Sequence, residues 1–272
     1  MSSLFSKLIS PFSNKFKKKS AIIYYGDNLD YNQVMMHHYI IVQPSKIDTS
    51  SQNFQDTKSN MYAYVSLCEI SKDVEEYEKI KPEWIVGRNT KWNNDILDIR
   101  HQEYKEFLFR EYIDPIIESG FENLFFDTLD SYQMICKTLH KRVKIEQEVV
   151  NFINLVHEKY PNVKIVINRG FEIIDSVYDS IEAVLFESYY FGLGEGVQTY
   201  KKVSVADREW LDSKLNRVKS YGLPIIAVDY LSESDIDEMA QEAVEVIMDK
   251  GMIPFVSNKD LNIYGRTCMK AL

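Results

Sequence analysis

Seven side chains stand where short apolar runs of this sequence end: Tyr25, Gln43, Glu69, Asp127, Asn168, Glu187 and Asp229. Four are carboxylates, and none is Lys, His or Cys. Asp127, in Leu124-Phe125-Phe126-Asp127, and Glu187, in Val184-Leu185-Phe186-Glu187, come straight off apolar stretches. Desolvation there raises a carboxyl's pKa, as a general acid working near neutrality requires. A single acid after a strand is explained by helix capping, and Asp130, in Asp127-Thr128-Leu129-Asp130-Ser131, fits that role better than Asp127 does. Several acids converging on one face are not explained that way, because burying them together is costly unless they are paired or used. Aromatic residues crowd the same loops: Tyr24, Tyr25, Trp92, Tyr132, Tyr189, Tyr190, Phe191 and Tyr230. Flat rings beside carboxylates suit a sugar, whose CH face stacks on a ring while its hydroxyls bond to acids and amides.

Other chemistries lack their residues. His37, His38, His101, His140 and His157 do not directly follow a strand run, so neither metal ligation nor histidine catalysis is expected. Cys68, Cys136 and Cys268 have no metal or disulfide spacing and read as spectator thiols. There is no Gly-x-Ser-x-Gly elbow, and no Gly-x-Gly-x-x-Gly follows the first strand run. No cofactor and no metal is expected.

The 272 residues carry 32 basic and 41 acidic side chains, a formal charge of −9. Lys7, Lys15, Lys17, Lys18 and Lys19 sit in the first twenty residues, which leaves 27 basic against 41 acidic residues and a balance of −14 on the body. Such a body is a poor nucleic-acid binder and a suitable partner for a cationic ligand. Residues 1–20 read as a basic segment, either a solvated tail or a weak contact with an anionic membrane. They lack a continuous apolar core and a small-residue cleavage site, so a cytoplasmic setting is the expectation, with the compartment left open. No apolar run of about 18 residues is present, which excludes a membrane-spanning helix. Oligomeric state is not legible.

The elements that must position these groups are eight short runs rich in β-branched and aromatic residues, at 22–25, 39–43, 61–67, 123–126, 163–168, 183–186, 224–228 and 252–256. Nearly all are continuously apolar, as parallel strands covered on both faces are. Helical periodicity fills 101–119, 131–160, 207–221 and 234–250, with glycine stops at Gly120 and Gly222. Eight strand and helix pairs favour a closed α/β barrel, a (β/α)8 TIM barrel, as one domain over 21–272. Residues 81–100 read as an insertion with extended pieces at 84–87 and 96–99. The glycine-rich 192–196 reads as a mobile loop over a site or as plain turn chemistry.

Several segments also resemble a known family: Tyr64-Val65-Ser66-Leu67-Cys68-Glu69; the stretch from Gly120 through Phe126-Asp127-Thr128 to Tyr132; Glu187-Ser188-Tyr189-Tyr190; and Val228-Asp229-Tyr230. They are similar to the endo-α-1,4-polygalactosaminidases, glycoside hydrolase family 114, which include the hydrolase domain of the Pel polysaccharide enzymes. The resemblance spans roughly residues 22–264. It implies a (β/α)8 barrel that cuts partly deacetylated α-1,4-galactosamine polymer internally, with Asp127 and Glu187 as the catalytic pair. Two motifs depart from the family pattern: glycine is usual where Cys68 stands, and the usual Gly-Phe-Asp-Gly turn reads Gly120-Phe121-Glu122-Asn123.

The expected mechanism is two-carboxylate glycoside hydrolysis. Glu187 is assigned as acid and Asp127 as nucleophile or base, the reverse fitting almost as well. The substrate-binding candidates are Tyr25, Gln43, Glu69, Asp130, Asn168, Tyr189, Tyr190, Asp229 and Tyr230. Asp229 and Glu69 are candidates for holding the substrate amine, and Tyr25 and Tyr189 for stacking walls. Asp229 is also the rival for a catalytic place. The other reading is a non-catalytic carbohydrate-binding barrel associated with exopolysaccharide.

Overall fold

In the computed structural model, residues 19–194 and 199–268 are described. The basic segment therefore lies outside the described residues, apart from Lys19 and Ser20, as do residues 195 and 196 of the glycine-rich stretch. Eight parallel strands form one sheet in sequential order: β1 Ala21–Tyr24, β2 Tyr39–Val42, β3 Met61–Ser66, β4 Asn123–Asp127, β5 Lys164–Asn168, β6 Ala183–Glu187, β7 Ile225–Tyr230 and β8 Ile253–Ser257. Each is buried almost throughout, because the sheet is covered on both faces.

The ring closes indirectly between β8 and β1. A short antiparallel strand, Arg266–Thr267, pairs with β8, and the Cys268 thiol reaches the carbonyl of Lys19 just before β1. Above it the Tyr25 amide donates to the Leu261 carbonyl at 2.7 Å, and Tyr24 stacks on Tyr264 with centroids 4.6 Å apart. The sheet is thus a nearly closed nine-stranded barrel with the TIM-barrel strand order.

Strand parity decides which side chains face the lumen, since Cα partners in a parallel ladder point the same way. Ser66 is level with Asp127, Asn168 with Leu185, and Glu187 with Val228. Tyr64, Ser66, Asp127, Leu185, Glu187, Val228 and Tyr230 therefore face inward. Asp229 and its partner Val256 face outward, where Val256 joins Phe191, Leu231, Ile236, Ala240, Ala243 and Val244 in a separate apolar cluster. Burying one such aliphatic side chain contributes about 1.5–3 kcal/mol.

The longer helices are α1 Gln102–Leu108, α2 Leu139–Lys159, α3 Val205–Ser220 and α4 Glu233–Asp249. Local chemistry sets their ends. Ser204 caps α3 by accepting from the Asp207 amide at 3.1 Å, and Gly222, with φ +72°, ends the turn after it. The single helix expected over 101–119 is interrupted: α1 passes into a π-helical turn, Phe109–Ile113, before Asp114–Glu118, where Pro115 supplies no backbone N–H. The helix expected over 131–160 begins later. A 3-10 turn, Ser131–Met134, precedes an extended Thr138 that starts α2.

The insertion after β3 folds as a three-stranded antiparallel sheet of Glu69–Ser71, Asn94–Leu97 and Ile85–Asn89, in that spatial order. Its extended pieces lie one to two residues from the expected ones, with a bulge at Ile85/Gly87. Trp84 anchors it, packing on Tyr104 and Phe107 at 5.4 and 5.6 Å. Asn123, where the family motif has glycine, is buried and ties β4 to the chain before β3 through the carbonyls of Lys58, Ser59 and Met61.

Candidate active site

Asp127 ends β4 and Glu187 ends β6, and between them Asn168 ends β5. The Asn168 side-chain nitrogen lies 2.8 Å from Asp127 Oδ1 and 3.4 Å from Glu187 Oε1, so one amide bridges the two carboxyls. Asp127 has two further donors: the Thr128 amide reaches Oδ1 at 2.7 Å and the Tyr64 hydroxyl reaches Oδ2 at 3.0 Å. Burial raises the Asp127 pKa, and these donors oppose the rise by favouring the charged form. Glu187 has fewer. Burial and then the charge of Asp127 push its pKa up to about 7, with the Tyr230 hydroxyl pulling it down. The hydroxyls of Tyr25 and Tyr230 are held protonated by burial and by the two carboxylates, and that of Tyr64 by burial and Asp127. Tyr25 lies edge-on to Tyr64 with centroids 5.4 Å apart.

The residues just beyond the strand ends adopt an uncommon backbone. Thr128 has φ +66°, Arg169 φ +59° and Gly170 φ +61°. A left-handed β-branched residue is costly and persists where surroundings over-determine it. Here the Thr128 hydroxyl contacts Ser66 Oγ at 2.9 Å and accepts from the Cys68 amide at 2.9 Å. Sequence reading missed Tyr64, Thr128 and Arg169 as site residues. Only Tyr64 carried a usable signal, since it sits two residues before Ser66 and so on the same strand face.

The other candidates divide by accessibility. Asn168, Tyr25 and Tyr230 stand in the lumen around the acid pair, although Tyr230 is nearly fully buried. Gln43 and Glu69 line a cavity of about 530 Å³ with Tyr64, Ser66 and Asn94, running toward Tyr104 and Phe107; of the residues around the acid pair, Tyr64 lines it, whereas Asp127 and Glu187 do not. Glu69 is only 4% exposed, and its carboxylate accepts from Asn89, Asn94 and Ser131. Asp130 pairs with Arg169 at 3.4 Å, and burial raises its pKa. Tyr190 sits apart in a polar cluster with Lys202 and Glu242.

Two candidates are placed away from a substrate. Tyr189, expected as a stacking wall, is buried in the core, and its hydroxyl donates to Asp212 at 2.9 Å. Asp229, expected to hold an amine or to take a catalytic place, has no exposure. Its carboxylate accepts the backbone amides of Tyr189 at 2.7 Å, Tyr190 at 2.9 Å and Phe191 at 2.7 Å, which fixes the loop that leaves Glu187. Burial pushes its pKa up to about 6.

A TIM-type barrel whose lumen mouth holds two bridged, desolvated carboxyls ringed by tyrosines has the build of a glycoside-cleaving site. The family model of glycoside-hydrolase family GH114 matches residues 17–272, and the chain belongs to that family. It is 22% identical over 282 residues to an uncharacterized protein of Methanocaldococcus jannaschii, covering 93% of this chain and 79% of that one. Among solved structures, it superimposes on the glycoside hydrolase domain of PelA from Pseudomonas aeruginosa with a TM-score of 0.82 at 24% identity, over 91% of this chain and 98% of that one. Ega3 of Aspergillus fumigatus, solved in complex with galactosamine, gives 0.67 at 13% identity over 92% and 94% of the two chains. These likenesses establish the shared fold.

Proposed function

We propose that the chain is an endo-acting hydrolase of α-1,4-linked galactosamine and N-acetylgalactosamine polymer, with Glu187 as the general acid and Asp127 as the nucleophile. The observation that carries the assignment is the Asn168 amide lying between the two carboxyls. Two oxygens bonded to one nitrogen at 2.8 and 3.4 Å cannot be farther apart than those two lengths laid end to end. That limit holds for the nearest oxygens of the two groups, and it accommodates the retaining spacing of about 5–5.5 Å between carboxyls that this reading adopts.

The roles follow from the donors. Glu187, raised to about 7, holds a proton at neutral pH, while Asp127 is stabilised as a carboxylate by three donors. Glu187 gives its proton to the glycosidic oxygen as that bond breaks, and Asp127 attacks the anomeric carbon to form a covalent glycosyl ester. A water then attacks the same carbon, giving its proton to the Glu187 carboxylate and releasing Asp127. Asn168 orients both acids, the Tyr230 hydroxyl holds Glu187, and Tyr25 walls the sugar. The galactosamine preference is supported by family membership and by the acidic body of the chain, which attracts a cationic polymer.

The test is the product size distribution after incubation with partly deacetylated α-1,4-galactosamine polymer, beside the Glu187→Gln variant. Oligosaccharides formed by the wild type alone support the reading. Intact polymer that co-sediments equally with both proteins overturns it in favour of a binding barrel.

A further inference from the structure

Of the three tryptophans, Trp84 is buried, whereas Trp92 and Trp210 are 42% and 45% exposed. Trp92 sits at the tip of the hairpin formed by Ile85–Asn89 and Asn94–Leu97. The last ladder pair before the turn is fixed, because the side-chain amides of Asn89 and Asn94 both donate to Glu69 just past β3. From that anchor only the four-residue turn, 90–93, extends toward β8. Lys259 Nζ is 5.0 Å from the Trp92 ring centroid, and Lys259 follows β8, which β1 and β2 separate from β3 around the barrel. The hairpin therefore reaches over the mouth from the β3 side to the β8 side. Lys91, its neighbour, lies 5.8 Å from the same ring, and its charge is felt by Glu187. Neither Lys91 nor Lys259 forms an ion pair among the described residues.

We propose that Trp92, Lys91 and Lys259 form a sugar subsite at the barrel mouth that accepts an uncharged N-acetylated hexosamine unit and disfavours a free-amine unit. The inference rests on the hydrolase reading and names the pattern of substrate that reading would select. An exposed indole offers a face for the CH side of a pyranose ring. Two ammonium groups that lie over the ring, in no ion pair among the described residues, repel a protonated sugar amine at the ring's exposed part, whereas an acetamide carries no charge and its carbonyl accepts an N–H from either lysine. Asp127, the charged member of the acid pair, favours a cationic unit instead. The two environments together place acetylated and free-amine units at different distances from the cut, so the hairpin reads the acetylation pattern of the polymer.

The test is a binding titration in the Glu187→Gln background at low salt, using fully N-acetylated and fully deacetylated α-1,4-galactosamine oligosaccharides of equal length. Replacing both lysines, Lys91→Gln with Lys259→Gln, should tighten binding of the free-amine oligomer about fivefold and leave the acetylated one nearly unchanged, the scale of a pair of exposed charge contacts. Trp92→Ala should weaken the acetylated oligomer by about fivefold, the size of one ring contact. Unchanged selectivity in the double-lysine variant overturns the inference. Mass spectrometry of wild-type digests supplies an independent readout, since acetyl groups should be enriched at one fixed position from the new ends. A wild type that cuts neither polymer refutes the hydrolase reading, and the subsite then stands or falls on the titration alone.

Discussion

Glu187, half-buried, and Asp229, fully buried, are carboxyls at neighbouring strand ends, both pushed up by desolvation, and they are held in opposite ways. Asp229, at the outward parity of β7, spends its oxygens on three backbone amides and has no capacity left for a ligand. Glu187, at the inward parity of β6, meets only side-chain groups: a long contact from Asn168 and the Tyr230 hydroxyl. A carboxylate saturated by main-chain donors is a structural fastener, whereas one left short of donors in a dry cavity keeps a transferable proton. The difference between a site residue and its support lies in the donors and in exposure, not in pKa direction, which is upward for both.

The sharpest way to break this contrast is to neutralise each acid in turn. Glu187→Gln should lower kcat by about 10³-fold or more, the scale of losing a positioned general acid, while the protein stays folded. Asp229→Asn should act mainly on stability. Its new NH2 group must face a backbone N–H that now meets an oxygen, at a cost of about 2 kcal/mol. For a chain of this size that lowers Tm by about 4–8 °C, with activity reduced by about tenfold through the loosened 188–191 loop. Should Asp229→Asn lose turnover as completely as Glu187→Gln with no change in Tm, the roles would have to be reversed.

A pH series sharpens the comparison. Glu187, at about 7 against an ordinary 4.5, and Asp229, at about 6 against 3.8, both have folded values above their unfolded ones. Their contribution to stability is complete below the unfolded values and is lost as pH rises through the folded ones, about 3 kcal/mol each at 1.36 kcal/mol per unit. His37, lowered to about 4 by burial, acts the other way below about pH 6.5. The clean readout is therefore Tm of wild type against Glu187→Gln from pH 6 to 8.5. The variant should become the more stable by about 5 °C at the upper end, because its amide has no charge to desolvate. The kcat/KM of the wild type should fall above about pH 7, as Glu187 loses its proton. Parallel Tm curves for the two proteins would show that the Glu187 carboxyl is better solvated than its burial implies.

This contrast was half legible in the sequence. All eight strand runs and their order could be read, because a parallel sheet covered on both faces writes itself as continuous apolar segments. That same continuity hides parity, which an alternating pattern would have displayed. Asp229 and Tyr230 are adjacent, and only the register of β7 against β6 shows that Tyr230, not Asp229, faces Glu187. Tyr189 was misplaced for a related reason, since an aromatic after a strand looks the same whether its ring stacks on a sugar or, as here, fills the core with its hydroxyl on Asp212. The left-handed backbone at Thr128 and Arg169 had no signal at all, since neither residue type favours it and only the surrounding hydrogen bonds impose it.

The smallest expected effect probes the partner of Glu187. Tyr64→Phe removes one of the three donors to Asp127 and keeps the ring, which packs 5.4 Å from Tyr25 and 6.0 Å from Phe125. Thr128 and Asn168 still hold Oδ1, so Asp127 stays in place, while Oδ2 loses its bond and the charged form becomes less favoured. The acidic limb of the kcat/KM profile should therefore move upward in pH, and the rate at neutrality should fall about fivefold, the weight of one hydrogen bond to a charged group partly offset by a more basic, freer oxygen. Tm should barely change, because Asp127, which accepts from that hydroxyl, is itself eased by a return toward the neutral form. An unmoved acidic limb with a shifted alkaline one would mean that Asp127 carries the proton and Glu187 the negative charge.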